Sequence, residues 1–317
     1  MVYYDYNTTN KSFLDMYLYL KSINIKNNNF MLIINNKELI GVDPYDPNLS
    51  DNLKSKIIKE CKENIYYFLR EVMRIPEQCG GSSRYELNRA NCAQLFCFLN
   101  NRINWLSAPR FLRKTISTEC ILVWTDLFCE DNNAKLISTD NINSKFQVNN
   151  TNKLKLYLPN YIKEISNQNI LDYSSVPTSK ENAIIFGMGL KKYNIIYYNE
   201  AEYVPFIKDI FESSLTSFLK LKMKNFGSNN NSVCGILFES VYSDDADKNG
   251  SLDIINSCIE WSEDFYDIIN NIDIEKIIHI EYHYHELGKD ENWYEHNCIL
   301  LNNDEKIINR EILLKRN

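Results

Sequence analysis

Short apolar runs of strand length alternate with stretches of helical period along most of this chain, and that alternation restricts the fold more than any other feature. Residues 103–108, 193–198, 233–238 and 277–282 are such runs, and Ile184-Ile185-Phe186 is a shorter one. Between them, residues 116–128 and 206–221 carry apolar side chains at three- and four-residue spacing, the period of an amphipathic helix. Strands apolar on both faces must be covered on both, and helices that connect parallel strands provide that cover. The expected fold is α/β, a mostly parallel sheet flanked by helices. With 44% hydrophobic residues among 317, the chain has ample material for one large core or two medium ones.

Ahead of the sheet, residues 1–29 are polar and Asn-rich around one amphipathic stretch, 13–20. Residues 30–34 and 39–42, separated by Asn35-Asn36-Lys37, suggest a β-hairpin. Residues 1–50 are therefore expected to form an N-terminal helical and hairpin extension, and 51–317 the principal domain. Within the latter, apolar positions from Leu53 to Val72 predict one helix, closed by Pro76 and Gly80-Gly81, and 88–99 predict a second. Residues 130–153 show no strong period.

Charge and cysteine content narrow the setting. Thirty-five Lys and Arg against 42 Asp and Glu give a net charge of −7, so no global basic field announces nucleic-acid binding. Nine Cys lie without Cys-x-x-Cys spacing, which suggests free thiols in a reducing compartment; Cys92, Cys97 and Cys120 fall on apolar helix faces, where packing is their expected role. The N-terminus has no basic and apolar leader pattern, and no apolar run reaches membrane-spanning length.

The candidate site is the stretch Ser107-Ala108-Pro109-Arg110-Phe111-Leu112-Arg113-Lys114-Thr115, between an apolar run and a helix-period segment. A Lys-Thr pair at a helix N-terminus suits a phosphate, because the free N–H groups and the helix dipole favour an anion there. Phosphate loops end Gly-Lys-Ser/Thr, and Arg113 occupies the place of that glycine. Asn199-Glu200 closes another apolar run, at the kind of strand end where open α/β sheets bind ligands.

Four stretches in order resemble the ATPase domain of phage terminase large subunits, the motors that drive DNA into capsids. They are 64–76 with 87–91; 108–115, where the family has Pro-Arg-Gln-x-Gly-Lys-Thr; 195–200, where it has a strand ending Asp-Glu; and 235–241, where a strand runs into a Thr-rich coupling motif. Gly250, residues 261–267, 280–293 and Arg310-Glu311 extend the likeness over roughly 43–315. The resemblance implies a P-loop NTPase-like fold. It also implies ATP held by Pro109, Arg110, Arg113, Lys114 and Thr115, Mg²⁺ at Thr115 and Asn199, and Glu200 as the catalytic residue that orients and deprotonates water. Implied partners are double-stranded viral DNA, the portal and the small terminase subunit, with no membrane, and the implied location is the bacterial host cytoplasm, transiently at the capsid portal. The departures are as informative: Arg113 replaces glycine, Asn199 replaces aspartate, Glu239-Ser240-Val241 lacks threonines, and Gly187-Met188-Gly189 lacks an arginine. They predict impaired ATP binding and hydrolysis. The nuclease domain that usually follows is not found in this sequence, so DNA cleavage is not expected of it unless a separate nuclease chain supplies it. A non-enzymatic scaffold or assembly protein retaining the fold is the alternative.

Two further patterns suggest metals. Asp245, Asp247, Asn249, Gly250 and Leu252 match positions 1, 3, 5, 6 and 8 of a calcium loop whose twelfth position is Asn256 instead of Glu. All four histidines, His279, His283, His285 and His296, crowd near the C-terminus; on a strand His283 and His285 would share a face, and with Glu281 or Glu286 those two offer a zinc-ligand set.

Overall fold

The computed structural model describes residues 2–77, 80–129, 133–165, 171–174, 176–225, 235–242 and 249–315. Two small antiparallel pairs come first in the chain: β1 (Tyr3–Tyr4) with β2 (Ile33–Ile34), and β3 (Arg74–Pro76) with β4 (Ser82–Arg84). The central sheet comprises β5 (Ile103–Ser107), β6 (Ala134–Ile137), β7 (Leu171–Tyr173), β8 (Ile195–Tyr198), β9 (Gly235–Ser240), β10 (Ile259–Glu260) and β11 (Ile277–Glu281). Their order is β10-β11-β5-β9-β8-β6-β7, and every pairing is parallel, as the apolar runs predict.

Side chains alternate between two cores along each strand, the geometry that a pleated ribbon imposes. Leu106, Leu136, Tyr197, Leu237 and Ile278 face one core, with the helices Asp51–Glu63, Arg89–Leu99 and Lys114–Phe128 packed on it. Trp105, Ile137, Tyr198, Phe238 and Ile277 face the other, under the helices Lys180–Gly189, Ile207–Asn225 and Ser251–Asn256. On that second face Trp105, Phe238 and Tyr198 stack across three neighbouring strands at 4.7 Å between successive ring centroids. Phe13, Met16 and Leu20 of the N-terminal helix Lys11–Ser22 belong to the first core, so residues 1–50 share the principal domain's interior.

Local chemistry alters four expectations. The 30–42 hairpin does not form: the Glu60 carboxylate accepts the N–H groups of Asn35 and Asn36 at 2.8 and 3.0 Å, and Asn36 caps a 3₁₀ turn at Lys37–Leu39. Ile33–Ile34 pair with Tyr3–Tyr4 instead. The helix expected through Val72 stops at Glu63, because the Asn64 side chain accepts from the Tyr67 N–H and starts a new helical segment, Ile65–Tyr67. Ile184-Ile185-Phe186 is helical, not a strand, within a helix capped by Ser179. Gly187 lets that helix approach its neighbour: a Cβ there would stand 2.0 Å from Ser213 Oγ and 2.4 Å from the Ile210 carbonyl oxygen. Finally, β6 lies in the stretch without a strong period, its buried Lys135 paired with Asp172 of β7 at 3.1 Å.

Candidate functional site

The carboxyl ends of β5, β9 and β8 open onto a cleft of about 490 Å³ lined by Arg110, Arg113, Lys114, Thr115, Glu200, Glu202, Ser240, Arg310 and Glu311, among others. One wall is the turn between β5 and the helix Lys114–Phe128. Phe111 (φ 69°) and Arg113 (φ 62°, ψ 24°) both adopt the left-handed conformation. For residues with a Cβ this costs about 1–2 kcal/mol, so the chain retains a glycine-like turn without its glycine. Arg113 occupies the N-cap position of the helix and provides no side-chain cap, which leaves that end open to an anionic ligand. Its guanidinium reaches sideways to Glu86 at 2.9 Å.

Lys114 Nζ donates to the carbonyl oxygen of Ala108 at 3.1 Å, folding back over its own loop. Burial pulls the Lys114 ammonium below its usual range, against the opposing charges of Glu202, Glu239 and Glu311. The C-terminal helix Glu305–Glu311 closes the wall. The Arg110 N–H donates to the Glu311 carbonyl oxygen at 2.8 Å, and the buried Glu311 carboxylate pairs with Arg310 at 2.9 Å and Arg110 at 3.4 Å. Behind the loop, Ser107 Oγ lies 3.0 Å from His279 Nε2, whose Nδ1 lies 2.9 Å from a Glu260 oxygen. Ser107 and His279 are fully buried, so this chain of contacts ties β5 to its neighbours β11 and β10.

The opposite wall holds acids. Glu200 is left-handed (φ 51°) at the end of β8 and faces the cleft. Two residues on, Glu202 is buried; one carboxylate oxygen accepts the Val241 N–H at 3.1 Å, and the other has no partner. Burial pushes its carboxyl up to about 8. Glu239 of β9 is fully buried, accepting from Thr118 and, at 2.7 Å, from the Tyr197 hydroxyl. Its carboxyl is also raised by burial, and the hydrogen bonds from Thr118 and Tyr197, with the charge of Lys114, offset part of that rise.

Of the residues singled out in the sequence, Arg110, Arg113, Lys114, Thr115 and Glu200 converge on this cleft. Pro109 and Asn199 do not line it. Asn199 is buried, 3.0 Å by its Oδ1 from the Tyr197 hydroxyl. An anionic phosphate fits the open helix end and the cations around it. For a divalent cation, the carboxylates of Glu200 and Glu202, which line the cleft, offer harder donors than the Asn199 amide, whose oxygen is turned toward Tyr197. Sequence reasoning passed over Glu202 and Glu239 as site residues. The available signal was an acid extending an otherwise apolar buried strand, Gly235-Ile236-Leu237-Phe238-Glu239.

The other metal patterns do not converge. The calcium-like loop begins outside the described residues, at 245–248; its second half, Ser251–Asn256, is a helix, and Asn249 donates to the carbonyl oxygens of Glu202 and Val204 at 2.6 and 3.2 Å. The His283 and His285 rings stack at 5.9 Å, yet among the described residues no three His, Cys, Asp or Glu side chains are arranged to hold a metal. Cys92, Cys97 and Cys120 are fully buried, in keeping with a packing role. No described helix is long and apolar enough to cross a membrane.

No family model and no curated protein matches the sequence. Among solved structures, the fold is similar to that of the large terminase of bacteriophage HK97, with a TM-score of 0.51 and 13% identity over 80% of this chain and 55% of that one. The large terminase of a thermophilic bacteriophage, solved in complex with ADP, aligns over 72% of this chain and 53% of its own at 10% identity and TM-score 0.40, too low to add to the argument. The chain thus shares its α/β fold with part of the HK97 large terminase and spans about half the length of these phage proteins.

Proposed function

We propose that this chain is the nucleotide-binding ATPase module of a viral DNA-packaging motor, with slowed turnover. The observation that carries this reading is the left-handed turn at Phe111 and Arg113, which delivers Lys114 and an uncapped helix N-terminus to a cleft at the carboxyl ends of β5, β9 and β8. In this reading Lys114 leaves Ala108 to reach the phosphates, Arg110 and Arg310 add positive charge at the cleft wall, and Glu200 orients and deprotonates the attacking water. ATP with Mg²⁺, when bound, supplies the transferable phosphoryl group and part of the charge that neutralises it. Slow turnover follows from two features of the chain: two bulky residues held in a strained turn, and an amide, Asn199, where an ionised carboxylate would serve better. The proposed partners are double-stranded viral DNA, the portal, the small terminase subunit and a separate nuclease chain, met in the bacterial cytoplasm and at the capsid portal.

Equilibrium titration with a fluorescent ATP analogue, paired with a phosphate-release assay, tests the reading. Binding that competes with ATP, with turnover well below about 1 s⁻¹, the low end of typical enzymes, is expected. Absence of binding overturns it and leaves the scaffold alternative.

A further inference from the structure

The acid missing at Asn199 has a substitute on the next strand. Parallel register pairs Tyr197 with Leu237 and Tyr198 with Phe238; continued by one residue, it sets Asn199 beside Glu239. Both side chains point to the face covered by the helix Lys114–Phe128, since Tyr197 and Leu237, two residues earlier on each strand, do so. The Tyr197 hydroxyl bridges the pair, 3.0 Å from Asn199 Oδ1 and 2.7 Å from Glu239 Oε2. Moreover β9 lies between β8 and β5, so a carboxylate on β9 stands one strand nearer the loop. Glu239 accepts from Thr118 of the loop helix and feels the charge of Lys114. A fully buried carboxylate is costly unless hydrogen-bonded and charge-compensated. Here it sits beneath the start of the loop helix, with the Thr118 and Tyr197 hydroxyls as donors.

We propose that Glu239 is the positioning carboxylate of this cleft: from beneath the loop helix, where it accepts from Thr118, it orders the pole where a divalent cation meets the phosphates, in place of the acid that Asn199 does not supply. The inference rests on the nucleotide reading of the cleft. Its content is separate, namely that the acid has moved from the end of β8 to β9.

The test compares affinity for a fluorescent ATP analogue in EDTA and in Mg²⁺, with thermal melts of each protein. Wild type binds in EDTA, and Mg²⁺ tightens binding by about 10-fold or more, the size of effect expected from groups that orient metal ligands. Glu239→Gln keeps its EDTA affinity and loses the Mg²⁺ increment, and adding Asn199→Asp to that variant restores it. A merely structural role for Glu239 predicts a lower melting temperature with the Mg²⁺ increment intact, and that result overturns the proposal. So does a wild type that binds equally well with and without Mg²⁺, or a double variant that shows no rescue. No binding by wild type in either buffer overturns the nucleotide reading itself. If Glu239→Gln does not fold, Asn199→Asp alone decides. A second carboxylate beside Glu239 is expected to lower the melting temperature in EDTA and to recover it in Mg²⁺, and a melting temperature indifferent to Mg²⁺ overturns the proposal.

Discussion

The two walls of the cleft are built in different ways. On the loop wall the backbone makes the site: Phe111 and Arg113 trace a left-handed turn that glycine adopts without strain. On the acid wall the backbone is an ordinary pair of parallel strands, and the chemistry depends on which residue stands at each strand end. Glu202 and Glu239 are buried acids there, while Asn199 is neutral. A site made of N–H groups tolerates foreign side chains at a cost in strain, provided they point away, as Arg113 does toward Glu86. A site made of carboxylates tolerates only relocation, because charge must come from somewhere nearby.

This contrast is broken most directly at Lys114, a loop side chain expected to matter in its own right. Lys114→Ala is expected to weaken ATP-analogue binding by about 100-fold, the loss of one strong charge-assisted contact, with little change in stability; unchanged affinity in the titration removes the loop from the site. Next in size is Glu239→Ala on the acid wall. It takes a carboxylate acceptor from the buried Thr118 and Tyr197 hydroxyls and should cost about 2 kcal/mol in urea unfolding. The exposed loop change Phe111→Ala should cost less than about 0.5 kcal/mol, and equal losses would erase the distinction between the walls.

The acid wall also carries a pH signature near neutrality. Glu202 is pushed up to about 8 by burial, from an ordinary 4.5. The folded state therefore holds protons that the unfolded chain has released, so this contribution is present below about 4.5 and is lost as pH rises through 8. Over the single unit from pH 7 to 8, Glu202 accounts for a loss of about 1 kcal/mol. Urea melts of Glu202→Gln should show a flatter decline than wild type, and a steeper or unchanged one contradicts the assignment. The smallest expected effect sharpens the loop side of the contrast. Arg113→Gly relieves the left-handed strain, loses only an exposed ion pair, and should stabilise the fold by about 0.5–1 kcal/mol. A destabilised variant would mean that the arginine side chain, not the turn, holds the loop.

The hairpin and the Ile184-Ile185-Phe186 strand misread local rules that other contacts override. Glu60, 25 residues away along the chain, takes the N–H groups a hairpin would need, and Ser179 caps a helix over a run too short to identify itself. The β6 strand was illegible because a buried, ion-paired lysine breaks its apolar run.

The sequence by itself determined the parallel sheet, the loop between β5 and its helix, and the strand end at Asn199-Glu200, because periodicity and turn chemistry are encoded within a few residues. Tertiary structure decided which acids belong to the cleft. Glu239 follows Asn199 by forty residues, and Arg310 and Glu311 lie more than one hundred beyond it. Strand order and register bring them to one place, and the dielectric and hydrogen bonding of that place, not their identity, set their charge.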